Sequence, residues 1–178
     1  MKNRLGATRN LSIGHGIETG VEYGPVLNEA VRERAKRHAD DAVARGGRLL
    51  AGGRPPKDGV LSGGTFFLPA VVDRVPIEAR VMNEKTYGPI AAIHHASGDR
   101  ELLNVTNSLP YGLAAYVYSN DLERAWAFAD RVEAGAVGIN VNDVTELRRP
   151  SEGGSSAVWA GSWDGKASRH TWSNVTSG

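Results

Sequence analysis

The sequence predicts an α/β fold built on a largely parallel sheet. Three observations carry that prediction. Helical and extended segments alternate along the first 140 residues with short turns between them. The extended segments are short apolar runs that read as buried strands. The length, 178 residues with 40% hydrophobic and 23% charged, is enough for one core of ordinary size. An α+β arrangement with mixed strands stays open beside it.

The elements follow in order. Residues 11–25 are loop-like, punctuated by Gly14, Gly16, Gly20 and Tyr23-Gly24-Pro25. Residues 28–45 contain neither Pro nor Gly, and Ala30, Val31, Ala35, His38, Ala39, Ala42 and Val43 recur near helical spacing. Gly46-Gly47 supplies the stop that a helix C-terminus prefers. A short strand is expected at 48–51, ended by Gly52-Gly53. After a Pro- and Gly-rich loop, 65–68 and 70–72 read as extended around Pro69, and 90–93 as a buried strand. A helix is expected over 99–107 with Asp99 as its cap, then a strand at 114–118. Asp121 caps a further helix carrying Leu122, Ala125, Trp126, Ala129 and Val132, closed by Gly135, and 136–139 returns as a strand.

Composition removes several classes of function. Lys plus Arg is 21 against 20 for Asp plus Glu, a formal charge of +1, which argues against binding nucleic acid or a membrane surface through bulk charge. No apolar run approaches a bilayer span, and the first ten residues lack the apolar stretch of a signal peptide. The chain has no cysteine, so it offers no disulfide framework, Cys-ligated metal or thiol nucleophile. That is compatible with the cytoplasm, the expected location.

The sharpest local pattern is Val81-Met82-Asn83-Glu84-Lys85-Thr86-Tyr87-Gly88-Pro89-Ile90. Gly88-Pro89 forces a turn and an extended entry into the next strand, which puts Glu84 and Tyr87 on a loop at a strand edge. A carboxylate there can accept hydrogen bonds from a sugar diol, and an aromatic ring can cover a flat heterocycle. On spacing alone, a plain turn with a solvated Glu and a packing Tyr is the favoured reading. His94-His95 are adjacent, a poor metal geometry that reads as strand-end histidines. Gly14-His15-Gly16 and Gly63-Gly64 read as flexible loops rather than phosphate cradles. No Ser/His/Asp or paired-carboxylate constellation stands out, so no catalytic residue and no metal site are assigned.

Several of these strings, in this order, resemble the aldehyde dehydrogenase superfamily. They are Leu11-Ser12-Ile13-Gly14, Tyr23-Gly24-Pro25, Gly64-Thr65-Phe66-Phe67-Leu68-Pro69, Val81-Met82-Asn83-Glu84 with Tyr87-Gly88-Pro89, Tyr111-Gly112-Leu113, and Gly135-Ala136-Val137-Gly138-Ile139-Asn140. The resemblance covers residues 11–149, and details such as Val81–Glu84 and Leu109–Leu113 lean towards its succinate-semialdehyde branch. It implies that residues 1–149 are the C-terminal part of an aldehyde dehydrogenase catalytic domain. In the family a Glu-x-[Phe/Tyr]-Gly-Pro motif bonds the nicotinamide ribose through its Glu and packs its aromatic near the nicotinamide. Carried over, those roles fall on Glu84 and Tyr87, with NAD or NADP as cofactor.

The resemblance also marks what these residues do not supply. The family's nucleophilic Cys, general-base Glu and oxyanion-hole Asn lie upstream of the matching part, and a thiolate is needed before hydride can leave the aldehyde carbon. The expectation is a truncated NAD(P)+-dependent aldehyde dehydrogenase, whose parent oxidises an aldehyde to a carboxylic acid, the chain alone being inactive. The alternatives are a non-catalytic module that binds a full-length dehydrogenase subunit, and a pseudogene-like product.

Residues 150–178 follow a different grammar: three of the four tryptophans, much Ser and Gly, and no periodicity. The expectation is an irregular tail. Back-translated and read one base out of register, it can spell Pro-Phe-Gly-Gly-Trp-Lys-Gln-Ser-Gly-Leu-Gly-Arg-Glu, which is family-like. Because Trp has one codon, Trp159-Ala160 and Trp163-Asp164 each necessarily give Gly in that frame. The tail therefore reads as a frameshift product, from a base lost near Arg148-Arg149.

Overall fold

The computed structural model describes residues 6, 8–57, 59–109, 111–141 and the backbone of 157–159. The chain divides into two units, Met1–His95 and Ala96–Gly178. The division falls within the stretch that the sequence reads as one domain.

In the first unit, helix α1 (Glu29–Ala44) opens where expected. Asn28 caps it, its Oδ1 accepting from the Val31 amide at 3.0 Å. Gly46, at φ +103°, turns the chain out of the helix. The Gly46 and Gly47 amides then take the free carbonyls of Val43 and Ala42, the Schellman arrangement that a left-handed residue permits. Strand β1 (Arg48–Ala51), a 3-10 turn (Val60–Ser62), strand β2 (Ala70–Asp73), a single helical turn α2 (Arg80–Asn83) and strand β3 (Ile90–Ala92) complete the unit. β2 is central and buried along its whole length. It pairs antiparallel with β1, Arg48 opposite Asp73, and parallel with β3, Ala70 opposite Ile90. The core gathers Val26, Val31, Ala35, Phe67 and Ala70, and beside them Ala42, Val72, Val75 and Ala79. The small apolar residues of α1 thus face the sheet.

The second unit holds α3 (Asp99–Ser108), β4 (Ala115–Val117), α4 (Leu122–Ala129), β5 (Ala136–Ile139) and β6 (Ala157–Trp159). β5 pairs parallel with β4 and antiparallel with β6. Ala125 and Ala129 of α4 pack on Val137 and Ile139 of β5. Asp121 caps α4 as expected, Oδ1 accepting from the Arg124 amide at 2.9 Å. Past the ends of β4 and β5, the Asn140 side chain accepts from the Ser119 amide and donates to its carbonyl.

Four expectations need correction. The sheet is not largely parallel: each unit has a three-stranded sheet with one parallel and one antiparallel pair. Short β1 returns beside β2 without a crossover helix, so its pairing is antiparallel. Residues 65–68 join no ladder, because Pro69 has no amide to offer and Leu68 spends its own on Arg54. Asp99 does not cap α3; it is the first helical residue after Gly98, and its carboxylate is taken by Arg124. Finally, the tail is not irregular throughout, since 157–159 form β6. The free edge of β5 recognises backbone rather than sequence, so any extended segment can satisfy it. The remainder of the tail lies outside the described residues.

Candidate functional site

The site grows from one face of α1. Arg34, His38 and Asp41 are spaced four and three residues apart, which stacks them on a single helical stripe. Asp41 reaches the start of α2, and Arg34 and His38 reach the segment that leads from α2 into β3. Asp41 Oδ2 accepts the Arg80 amide at 2.8 Å, capping α2 from a neighbouring helix. That bond first, then the Arg45 side chain, holds the Asp41 carboxyl below the usual carboxylate range. His38 is buried, 1% exposed. Its Nε2 lies 3.1 Å from Glu84 Oε2 and its Nδ1 lies 2.8 Å from Thr86 Oγ1. Arg34 Nε donates to the Thr86 carbonyl at 3.0 Å, and its guanidinium sits 5.8 Å from the centre of the Tyr87 ring, a contact worth about 0.5–1 kcal/mol at an exposed site.

The loop carries visible strain. Tyr87 has φ +53°, a left-handed conformation that costs a bulky residue about 1–3 kcal/mol and persists only where surrounding contacts enforce it. Gly88 explains part of that enforcement. A Cβ there would stand 2.8 Å from Ala35 Cβ and 3.3 Å from Thr86 Cγ2, so only glycine lets the loop backbone lie against α1. Beyond it, the Pro89 carbonyl accepts the Ala70 amide at 2.8 Å, tying the loop to β2.

Both sequence-predicted residues stand on this loop. The Glu84 side chain is half exposed; besides His38 it meets Arg80, 3.5 Å away. Tyr87 is 74% exposed. A groove of about 360 Å³ lined by Tyr23, Pro69, Gly88, Pro89 and Ile90 runs along the same unit, but neither Glu84 nor Tyr87 lines it. They face open solvent, with carboxylate lone pairs and a ring available to a ligand. His38 was legible only as a member of the α1 core face; its partners lie 46 and 48 residues downstream. Arg34 and Asp41 gave no signal, being charged positions on a mostly charged helix. His94 and His95 do stand just past a strand end: His94 Nδ1 lies 2.8 Å from the Val75 carbonyl and His95 Nε2 lies 2.7 Å from Asp73 Oδ1. Among the described residues no cluster of three or more His, Asp or Glu could hold a metal ion.

Residues 1–177 match the model of the aldehyde dehydrogenase family. This chain belongs to the aldehyde dehydrogenase family. It is 35% identical over 147 residues to the glutarate-semialdehyde dehydrogenase of Pseudomonas aeruginosa, covering 83% of this chain and 30% of that one. It is 37% identical over 131 residues to the succinate semialdehyde dehydrogenase of Acinetobacter baylyi, covering 74% and 26%. Among solved structures, the betaine aldehyde dehydrogenase of Staphylococcus aureus in complex with NAD+ superposes with a TM-score of 0.72 at 28% identity, over 78% of this chain and 28% of the other. The chain thus spans less than a third of the length of these relatives. No helix among the described residues is long and apolar enough to cross a membrane.

One feature of this aldehyde dehydrogenase chain departs from the motif its sequence resembles. That motif places one residue between Glu and the aromatic; here Lys85 and Thr86 both intervene between Glu84 and Tyr87. Lys85 therefore occupies the position with the family spacing.

Proposed function

We propose that this chain is the C-terminal part of the catalytic domain of an NAD(P)+-dependent aldehyde dehydrogenase, of the kind that oxidises a small semialdehyde to the acid, and that residues 84–89 form its nicotinamide-side loop. The observation that carries the reading is a half-exposed carboxylate and an exposed aromatic ring three residues apart on one loop pinned to α1, in a member of this family. Glu84 offers its remaining lone pairs to the ribose diol, and Tyr87 lies against the flat ring. Lacking an acceptor of its own, Lys85 cannot replace the carboxylate in that role. A bound nicotinamide would supply the hydride acceptor. No cysteine is present, so by themselves these residues cannot form the covalent aldehyde adduct, and they should give no aldehyde-dependent NAD(P)+ reduction above a buffer blank.

The test uses nicotinamide mononucleotide, which presents the ribose and the nicotinamide without needing an adenosine site. Titrated into the chain, it should shift the amide resonances of 84–88 with a Kd in the millimolar range, about −4 kcal/mol, and Glu84→Gln should weaken that binding. If Glu84→Gln is without effect while Lys85→Glu tightens binding, the diol site lies one residue further along and the assignment to Glu84 is wrong.

A further inference from the structure

We propose that His38 is a positioning residue: through its two ring nitrogens it sets the aim of the Glu84 carboxylate and fixes Thr86, so that α1 rather than the loop's own backbone determines where Glu84 points. This rests on the reading of Glu84 as the ligand-facing carboxylate.

A buried imidazole ring brings two polar atoms into the core, and each costs free energy unless it is paired. Both are paired here, and both partners are on the loop, Glu84 Oε2 at 3.1 Å and Thr86 Oγ1 at 2.8 Å. A carboxylate only accepts, so Nε2 carries the hydrogen toward Glu84. In the neutral ring Nδ1 then accepts from the Thr86 hydroxyl. The ring thus distinguishes the two loop side chains by chemistry as well as by place. An apolar residue would fill the same space in α1 without either bond.

The loop needs such a clamp. Its backbone is tied at its two ends, the Glu84 amide to the Arg80 carbonyl and the Ile90 amide to the Gly88 carbonyl, and at Thr86, whose carbonyl accepts from Arg34, but none of these bonds holds the Glu84 carboxylate. Between them Tyr87 sits in a left-handed conformation that would relax if the loop were released. A second contact to the Glu84 carboxylate is Arg80 at 3.5 Å, between two half-exposed side chains. Exposed pairs of that kind fix little. His38, 1% exposed and carried on a four-turn helix, has neither solvent nor rotamer freedom to lose the bond to. A free carboxylate on a mobile side chain must be ordered when it binds a diol; one already held by a rigid donor has met that cost on folding.

The experiment reads loop order and ligand binding separately, on the whole chain. Backbone 15N order parameters of residues 85–88 are measured for the parent, His38→Leu, His38→Gln and Thr86→Val. The parent loop should be rigid, near 0.85, and His38→Leu should drop it below about 0.6, with β2 amides unchanged. His38→Gln, whose side-chain amide can still donate to Glu84, should recover most of the rigidity. Thr86→Val, which keeps the side-chain shape but removes the half-buried hydroxyl paired with His38 Nδ1, should loosen the loop to a lesser degree. Unchanged order in His38→Leu, or loosening that extends equally through β2, would overturn the proposal, as would a His38→Gln variant no better than His38→Leu. In parallel, nicotinamide mononucleotide is titrated into each variant, and His38→Leu should bind it several-fold more weakly than His38→Gln does. If the loop loosens as expected but Glu84→Gln leaves nucleotide binding untouched, the positioning role stands and the reading of Glu84 fails.

Discussion

Replacing Gly88 with alanine should force helix and loop apart, and the structure gives the size of the effect. The new Cβ would lie 2.8 Å from Ala35 Cβ, whereas carbon atoms rest about 3.5–4.0 Å apart. Ala35 is fully buried on α1, its Cβ fixed to helix backbone, so it cannot rotate away. Overpacking of this kind costs about 1–3 kcal/mol. Taking the opposite methyl away tests the cause. Ala35→Gly alone should cost about 1 kcal/mol in helix propensity and about 0.8 kcal/mol for the buried carbon. In the double variant the clash has no partner, so its cost should be close to that of Ala35→Gly by itself. The coupling is then favourable by the whole cost of the clash, about 1–3 kcal/mol, within the range seen for residues in contact. Urea titration followed by far-UV circular dichroism, with equal slopes for all four proteins, measures it. Additivity within about 0.5 kcal/mol would show that the loop does not lie against Ala35 and would remove the structural basis for the clamp.

Asp73, buried at the end of β2, is held below the ordinary carboxylate range chiefly by its hydrogen bond to His95, with Arg48 adding to it. A lowered folded-state value means that the stabilisation is complete above the unfolded value, about 3.9, and is lost as pH falls through the folded one. Asp73→Asn should therefore flatten the acid limb of a thermal-stability profile below about pH 4 and leave the slope above it unchanged; an unaltered acid limb would refute it. In the second unit, Asp121→Ala removes the acceptor of the Arg124 amide and should cost about 0.5–2 kcal/mol. Urea unfolding followed by far-UV circular dichroism checks it.

What the sequence showed and what it hid divide along sequence distance. α1 was legible from Asn28 to Gly46-Gly47 because its cap, apolar face and stop are all local, and the observed helix, Glu29–Ala44, departs by one residue at either end. β1 and β5 appear with the bounds expected, since short apolar runs between turn signals leave few choices. The sheets were misjudged because alternating order does not say whether a four-residue strand returns by crossover or by hairpin-like reversal. Asp99 looked like a cap by type and position, but Arg124, 25 residues on, competes for its carboxylate. In the site the same limit applies. Glu84 and Tyr87 could be placed on a loop by Gly88-Pro89, yet nothing near them announces His38 and Arg34, and nothing near His38 distinguishes a helix-face core residue from one that grips a loop 46 residues away.

The pairing of β2 with β3 acts as a ruler for the chemistry outside the sheet. β3 begins at Ile90, two residues after Gly88, and its register against β2 is set by Ala70 opposite Ile90. Sliding β3 by one residue would carry the loop about 3.3 Å along the strand direction, a shift as large as the whole separation between His38 Nε2 and Glu84 Oε2, 3.1 Å. It would also turn Ile90 away from the core it packs against. Burial of an isoleucine inside the unit and the aim of a carboxylate on its surface are therefore one and the same choice of alignment. Substitutions that loosen the choice, such as a polar residue at position 90, should reach the ligand-facing side chain without touching it.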